Sequence, residues 1–410
     1  MNEKIKQRID TVRRGEVPEG YLRTRAGIMP TDWPTKTLAK DVFKSHTNKK
    51  HGGAYEVLSA TQDRGIIPRK DVDIDIKYDE ENISSYKKVD KGDFVISLRS
   101  FQGGIEYSEY EGLVSPAYTV LKAIKPIDDN YYRAYFKTAD FIKRLNGAVY
   151  GIRDGKQIGF EDFGDLAIHY PSLAEQQKIA EILSTCDHVI ELKQQLLDEK
   201  RKQKQWLRQM LLDPDSGVRL PGFEDEWSTR TFNDICVFIN GRAYKQDELL
   251  EAGKYPVLRV GNLFTKSEWY YSDMELPSHM YIDNGDLIYA WSASFGPRIW
   301  QGNKVIFHYH IWKVMPSESV CKEYLYQYFQ YDVDLLNREQ QGGTMAHITK
   351  ETMEKRLCRY PTLPEQKRIS EILNAADRDI ALTEQELEAW QQKKKALMQL
   401  LLTGLVRVNA

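Results

Sequence analysis

Pro171-Ser172-Leu173-Ala174-Glu175-Gln176 returns as Pro361-Thr362-Leu363-Pro364-Glu365-Gln366, 190 residues further on. The match continues without a gap through Ile179/Ile369, Glu181-Ile182-Leu183/Glu371-Ile372-Leu373 and Asp187/Asp377 to Leu211-Leu212/Leu401-Leu402. Residues 175–212 and 365–402 share 16 identities in 38 positions, and neither stretch contains Gly or Pro. Chance likeness does not hold register that long, and nothing inside either copy interrupts a helix. In the first copy Ile179, Ile182, Leu183, Cys186, Val189, Ile190, Leu196, Leu197, Leu207, Met210 and Leu211 fall on one stripe, the pattern of an amphipathic helix. The series Leu183, Ile190, Leu197, Lys204, Leu211 is mirrored by Leu373, Ile380, Leu387, Lys394, Leu401. With Leu207 and Leu397 these define a seam, because a sustained seven-residue spacing asks for a supercoiled partner helix. Each helix should run roughly 57 Å at 1.5 Å per residue.

Working outward, the chain divides into an N-terminal arm (1–33), a first globular domain (34–170), a long helix (171–213), a linker (214–227), a second globular domain (228–360), a second long helix (361–403) and a tail (404–410). The second domain leaves the end of one helix and feeds the start of the other, so antiparallel pairing brings those two ends side by side. Weaker echoes relate the domains themselves. Trp33 answers Trp227, Gly92-Asp93-Phe94-Val95-Ile96 answers Gly285-Asp286-Leu287-Ile288-Tyr289, and Tyr55-Glu56-Val57-Leu58 answers Tyr255-Pro256-Val257-Leu258. Short β-type runs broken by turns, with helical stretches late in each domain, predict an α+β class with curved, mostly antiparallel sheets. The expected fold is two pseudo-repeated domains joined by two long helices that form an antiparallel coiled coil.

Composition narrows the function classes. The 410 residues are 41% hydrophobic and 29% charged, ordinary for a soluble globular protein. No apolar run approaches the roughly 20 residues that span a bilayer, and residues 1–6 are charged rather than signal-like. The four cysteines, at 186, 236, 321 and 358, make no CxxC pair and no ligand cluster with His. Free thiols in a reducing cytoplasm are expected, with no metal and no membrane contact. Net charge is −2, with 21 basic and 21 acidic residues in 34–170 and 15 and 16 in 228–360. Neither domain is a generic polyanion binder.

Catalytic signatures are scarce. Gly151-Ile152-Arg153-Asp154-Gly155-Lys156-Gln157 resembles a phosphate loop, but it is one residue short and Gln157 stands where Ser or Thr would hold Mg²⁺. No dinucleotide fingerprint, adenine-methyltransferase tetrapeptide, HExxH or GxSxG occurs. Asp63, Asp75 and Lys77 could be stretched into a nuclease triad, at a spacing common by chance. His308-Tyr309-His310 places two imidazoles on one face if the segment is a strand, without a third metal ligand, and a polar pair at a sheet face is the plainer reading. What remains are glycine-bearing loops at comparable places in both repeats. Their candidate DNA-contacting residues are Arg99, Ser100, Gln102, Tyr150, Arg153 and Lys156 in the first domain, and Arg259, Asn262, Trp291, Ser292, Gln341, Thr344 and His347 in the second. Arg pairs bidentately with guanine and Asn or Gln with adenine, while small hydroxyls hold phosphates.

Two copies of Pro-Ser/Thr-Leu-x-Glu-Gln-x-x-Ile-x-Glu-Ile-Leu, each opening a long helix behind a variable domain, resemble the specificity subunit of type I restriction–modification enzymes. Pro18-Glu19-Gly20-Tyr21, Gly27-Ile28-Met29-Pro30 and Trp33, and Leu220-Pro221-Gly222-Phe223 through Trp227, extend the likeness over essentially the whole chain. The resemblance implies a non-catalytic subunit whose two domains each read one half of a split, asymmetric site on double-stranded DNA. The helix pair would fix the spacer and dock two methyltransferase subunits, and motor-nuclease restriction subunits would join them. S-adenosylmethionine, ATP and Mg²⁺ would then belong to those partners and no cofactor to this chain. Two other expectations stand beside it: a DNA nuclease or methyltransferase with its own active site, and a coiled-coil scaffold without DNA specificity.

Overall fold

The computed structural model describes residues 3–49, 55–72, 80–98, 104–148, 158–264, 268–292, 296–339 and 348–409. They form two compact units, residues 1–193 with 386–410, and residues 194–385. The first opens with α1 (Glu3–Arg13) and continues through β1 (Tyr21–Thr24), β2 (Gly27–Pro30), β3 (Phe43–Ser45), β4 (Leu58–Thr61), β5 (Gly65–Pro68), β6 (Lys87–Val89), β7 (Phe94–Ile96), β8 (Glu106–Tyr107), β9 (Gly112–Val114) and β10 (Thr119–Ala123). Helices α2 (Asp129–Tyr135), α3 (Ala139–Gly147) and α4 (Phe160–Gly164) lead to the long α5 (Leu173–Leu212). The second unit holds β11 (Ser228–Thr231), α6 (Phe232–Ile235), β12 (Cys236–Asn240), β13 (Tyr255–Leu258), α7 (Val260–Phe264), β14 (Tyr270–Ser272), β15 (Tyr281–Ile282), β16 (Leu287–Ala290), β17 (Gly296–Ile299), β18 (Val305–Phe307) and β19 (Ile311–Pro316). After these come α8 (Lys322–Glu339), α9 (Lys350–Lys355), β20 (Leu357–Tyr360) and the long α10 (Leu363–Leu402).

The main sheets share one antiparallel topology, β3-β10-β7-β8 in the first unit and β12-β19-β16-β17 in the second. Shared side-chain bonds explain the faint sequence echoes. Asp93 accepts from the Asp90 backbone N–H at 2.9 Å, as Asp286 does from Asp283 at 2.7 Å. Each carboxylate closes the turn entering its central strand. The expectation of mostly antiparallel pairing needs one refinement. A second sheet, β14-β13-β18-β15, pairs β13 with β18 in parallel, and the first unit has a parallel bridge, Val57 to Leu113, at the matching place.

Both long helices run 40 residues, and each contributes to both units. In the first unit Lys193 Nζ meets Glu386 Oε2 at 2.5 Å and Lys394 pairs with Asp187. In the second, Lys200 meets Asp379 at 2.7 Å, Arg201 meets Glu384 at 2.6 Å and Lys204 pairs with Asp377. Numbers rise on one helix as they fall on the other, so the pairing is antiparallel in each unit. Leu183, Leu197, Leu211, Leu373, Leu387 and Leu401 are buried, and Ile190, Leu207, Ile380 and Leu397 are half-buried. Leu196, included in the sequence stripe, is 43% exposed. It points about 100° away from Leu197 around the helix, and Leu197 takes the seam.

The repeated Glu-Gln pair has a structural reason in both units. Gln176 donates to the Pro171 carbonyl at 2.9 Å and accepts from Asp128 N–H at 2.9 Å, stapling the start of α2 to α5. Gln366 repeats this with the Pro361 carbonyl and Cys321 N–H, both at 2.9 Å. Both glutamines are fully buried and keep their amides satisfied. Glu175, also buried, accepts Arg407 Nε at 2.7 Å and the Trp33 indole N–H at 2.9 Å. Glu365 accepts Arg219 twice, at 3.0 and 2.8 Å, and that guanidinium lies 5.9 Å from the Trp227 ring. The first clasp draws its Trp from the arm and its Arg from the tail, whereas the linker alone supplies both to the second.

Candidate nucleic-acid interface

Of the thirteen candidate contact residues, Arg99, Ser100, Gln102, Tyr150, Arg153, Lys156, Gln341, Thr344 and His347 lie outside the described residues, as do Asp75, Lys77 and the phosphate-loop-like string 151–157. The structure describes Arg259, Asn262, Trp291 and Ser292, all in the second unit.

These four flank one end of its sheets. Arg259 follows β13, and Trp291 and Ser292 follow β16. The segment 259–262, read as a loop, instead leads into the short helix α7 (Val260–Phe264), and Asn262 holds its entry. Its amide oxygen accepts from Arg259 N–H at 3.1 Å and its nitrogen donates to the Glu268 carbonyl at 2.7 Å. Both ends of that amide are therefore engaged inside the domain. Trp291 is built into the sheet end. Its backbone N–H donates to His310 at 3.1 Å, its carbonyl accepts from Ile348 at 3.1 Å, and its indole donates to the Tyr309 carbonyl at 2.7 Å. Ser292 follows it, half-buried.

His308-Tyr309-His310 therefore belongs to the same cluster. It forms the turn between β18 and β19 and not a strand. His308 N–H donates to Leu258, Tyr309 N–H to Arg242, and Ile311 N–H back to His308, at 2.9, 3.1 and 3.0 Å. The chain approaches so closely that a Cβ on Gly241 would sit 2.4 Å from the His308 carbonyl oxygen, which only glycine avoids. The rings crowd outward, with His308–Tyr309 centroids 4.4 Å apart, Tyr309–His310 4.0 Å and Trp291–His310 5.0 Å. Tyr309 is 39% exposed. Burial, then His310 and Arg259, push the His308 imidazole down to about 4; burial and Arg259 lower His310. Both rings are uncharged near neutral pH, so each offers one donor and one acceptor. No group of His, Cys, Asp or Glu suited to a metal occurs among the described residues. From sequence the tripeptide reads as a polar pair at a sheet face or, less plainly, as two metal ligands, and not as a DNA contact. The available signal was its aromatic density immediately before the strand that pairs with Trp291's own strand.

The first unit ends its matching strands differently. The turn before β10 reads Ser115-Pro116-Ala117-Tyr118, closed by Tyr118 N–H to the Ser115 carbonyl at 3.0 Å. Leu98 after β7 is 50% exposed. Gly104 packs closely against Phe136: its φ is +89° and a Cβ there would lie 2.4 Å from the Phe136 carbonyl oxygen.

Comparisons with known proteins agree with this duplicated architecture. The family described as Type I restriction modification DNA specificity domain matches twice, over residues 30–199 and 224–391. The MjaVIII type I restriction enzyme specificity subunit of Methanocaldococcus jannaschii is 23% identical, over 95% of this chain and 97% of its own length. A chain solved in a study of complex assembly and conformational transition of the type I R-M system superposes with a TM-score of 0.62 at 15% identity, covering 95% of this chain and all of that one. The type I restriction-modification S subunit of M. genitalium gives 0.53 at 15% identity, over 93% and 99%. At that identity the solved structures speak for the fold alone. No helix among the described residues is long and apolar enough to cross a membrane.

Proposed function

The chain belongs to the type I restriction–modification DNA specificity family, and we propose that it is the non-catalytic subunit that selects the DNA sequence for such a complex. Each globular domain reads one half of a two-part, asymmetric site on double-stranded DNA. The paired helices set the spacer and offer surface to two methyltransferase subunits, which carry S-adenosylmethionine and methylate adenine. Restriction subunits that use ATP and Mg²⁺ join them in the cytoplasm.

One observation carries the reading. The two units repeat a sheet topology, its turn-closing aspartates and a Glu-Gln joint, while the chain at the ends of matching strands differs, His308-Tyr309-His310 in one and residues 115–118 in the other. A common frame with unlike tips suits two readers of unlike half-sites. The near-neutral charge fits a subunit whose partners supply much of the phosphate neutralisation.

The test is to co-express the chain with methyltransferase subunits and map methylated adenines across host DNA. The expected result is one motif of two dissimilar halves around an unspecified spacer. Methylation without sequence preference sinks the reading, as does cleavage or methyl transfer by the purified chain alone.

A further inference from the structure

We propose that the His308-Tyr309-His310 turn and Arg259 form the base-reading element of the second domain, with Arg259 directed to a guanine. The inference rests on the DNA-specificity reading and goes beyond it by assigning residues.

The turn has the stiffness that base readout requires. All three of its carbonyls accept hydrogen bonds inside the domain, from Ile311 N–H, the Trp291 indole and Trp291 N–H. Little ordering cost is left for binding. The side chains, not the backbone, meet a ligand, and the Tyr309 ring is the exposed one. Uncharged imidazoles suit base edges, where donors and acceptors alternate, better than phosphates, which only accept. Arg259 supplies the cation. Its guanidinium lies 5.2 Å from the Tyr270 ring centroid, and no carboxylate among the described residues pairs with it. Arg242 nearby is committed to Glu248 at 2.7 Å. A guanidinium braced on an aromatic face and left without a carboxylate keeps its fork for the O6 and N7 of guanine. The matching turn of the first unit, Ser115-Pro116-Ala117-Tyr118, has one aromatic and no histidine where the second has His308-Tyr309-His310, so this chemistry varies while the frame stays.

The test uses the full chain assembled with its methyltransferase subunits. Affinity is measured for duplexes bearing the mapped site, the site scrambled in one half, and the site scrambled in the other. R259K keeps charge and bulk but loses the fork, and Tyr309→Ala alters an exposed side chain, so folding is not at stake in both; thermal melts confirm it. Both variants, and His310→Ala, are expected to reduce discrimination against scrambling of one half by roughly tenfold, with discrimination at the other half unchanged. Both ratios staying within twofold of wild type in all three variants would overturn the proposal, and so would an equal fall at both halves. If the unaltered complex discriminates neither half, the family reading fails first and this inference falls with it.

Discussion

The two clasps at the helix starts make the same joint by different routes. Glu365 takes Arg219 from the linker that leads directly into its own domain. Glu175 takes Arg407 from beyond α10 and Trp33 from the arm, segments more than 370 residues apart in sequence. Chain connectivity is therefore not what the joint conserves. A buried carboxylate needs a guanidinium, and either route supplies one. A second difference is smaller. Trp33 donates to Glu175, whereas the buried Trp227 indole N–H has no partner among the described residues.

Three experiments sharpen or break this comparison. The largest effect belongs to the seam that both units share. Leu197→Asp with Leu387→Asp puts a carboxylate into each unit's buried seam. Several kcal/mol of lost stability are expected per site, read as collapse of the helical thermal transition, whereas Leu196→Asp on the exposed side should stay within about 0.5 kcal/mol. Normal melting of the double variant would show that the helices do not need each other. Next, Arg407→Ala should cost about 3 kcal/mol, because Glu175 stays buried without its cation. Hydrogen exchange should loosen the first unit alone, and Arg219→Ala should loosen the second. Uniform loosening in both variants would contradict two separate clasps. The smallest effect separates the tryptophans. Trp33→Phe removes a bond to a charged acceptor and should cost about 1–2 kcal/mol more than Trp227→Phe, measured by denaturant titration. Equal losses would mean that the Trp33 bond contributes nothing net.

The helices were legible in the sequence because their information is periodic and local: a seven-residue series survives without knowledge of the fold. Leu196 was misplaced because a stripe read from spacing tolerates neighbours that geometry separates. The sheet frame was half legible, since Asp93 and Asp286 sit in turns that bond to residues only three positions away. The clasps were not, because Arg407 meets Glu175 only after the whole chain has folded back. The candidate interface was the hardest part. Arg259 and Trp291 were visible as residue types, but their convergence on residues 308–310 depends on β13 pairing with β18 and β16 with β19. Asn262 shows the converse, a residue type legible as a base reader whose structural task, holding the entry of a short helix, was not.

The lysines at 204 and 394 interrupt an otherwise leucine- and isoleucine-bearing series, and each finds an aspartate on the opposite helix. Suppose one helix slipped by a heptad. Leucines would still meet leucines, but Lys394 would face Ala180 or Gln194 in place of Asp187. A half-buried ammonium would be stranded, at a cost that apolar contact does not offset. The joint is keyed as well as greasy, and a seam that greasy contact alone would let settle at several offsets is confined to one.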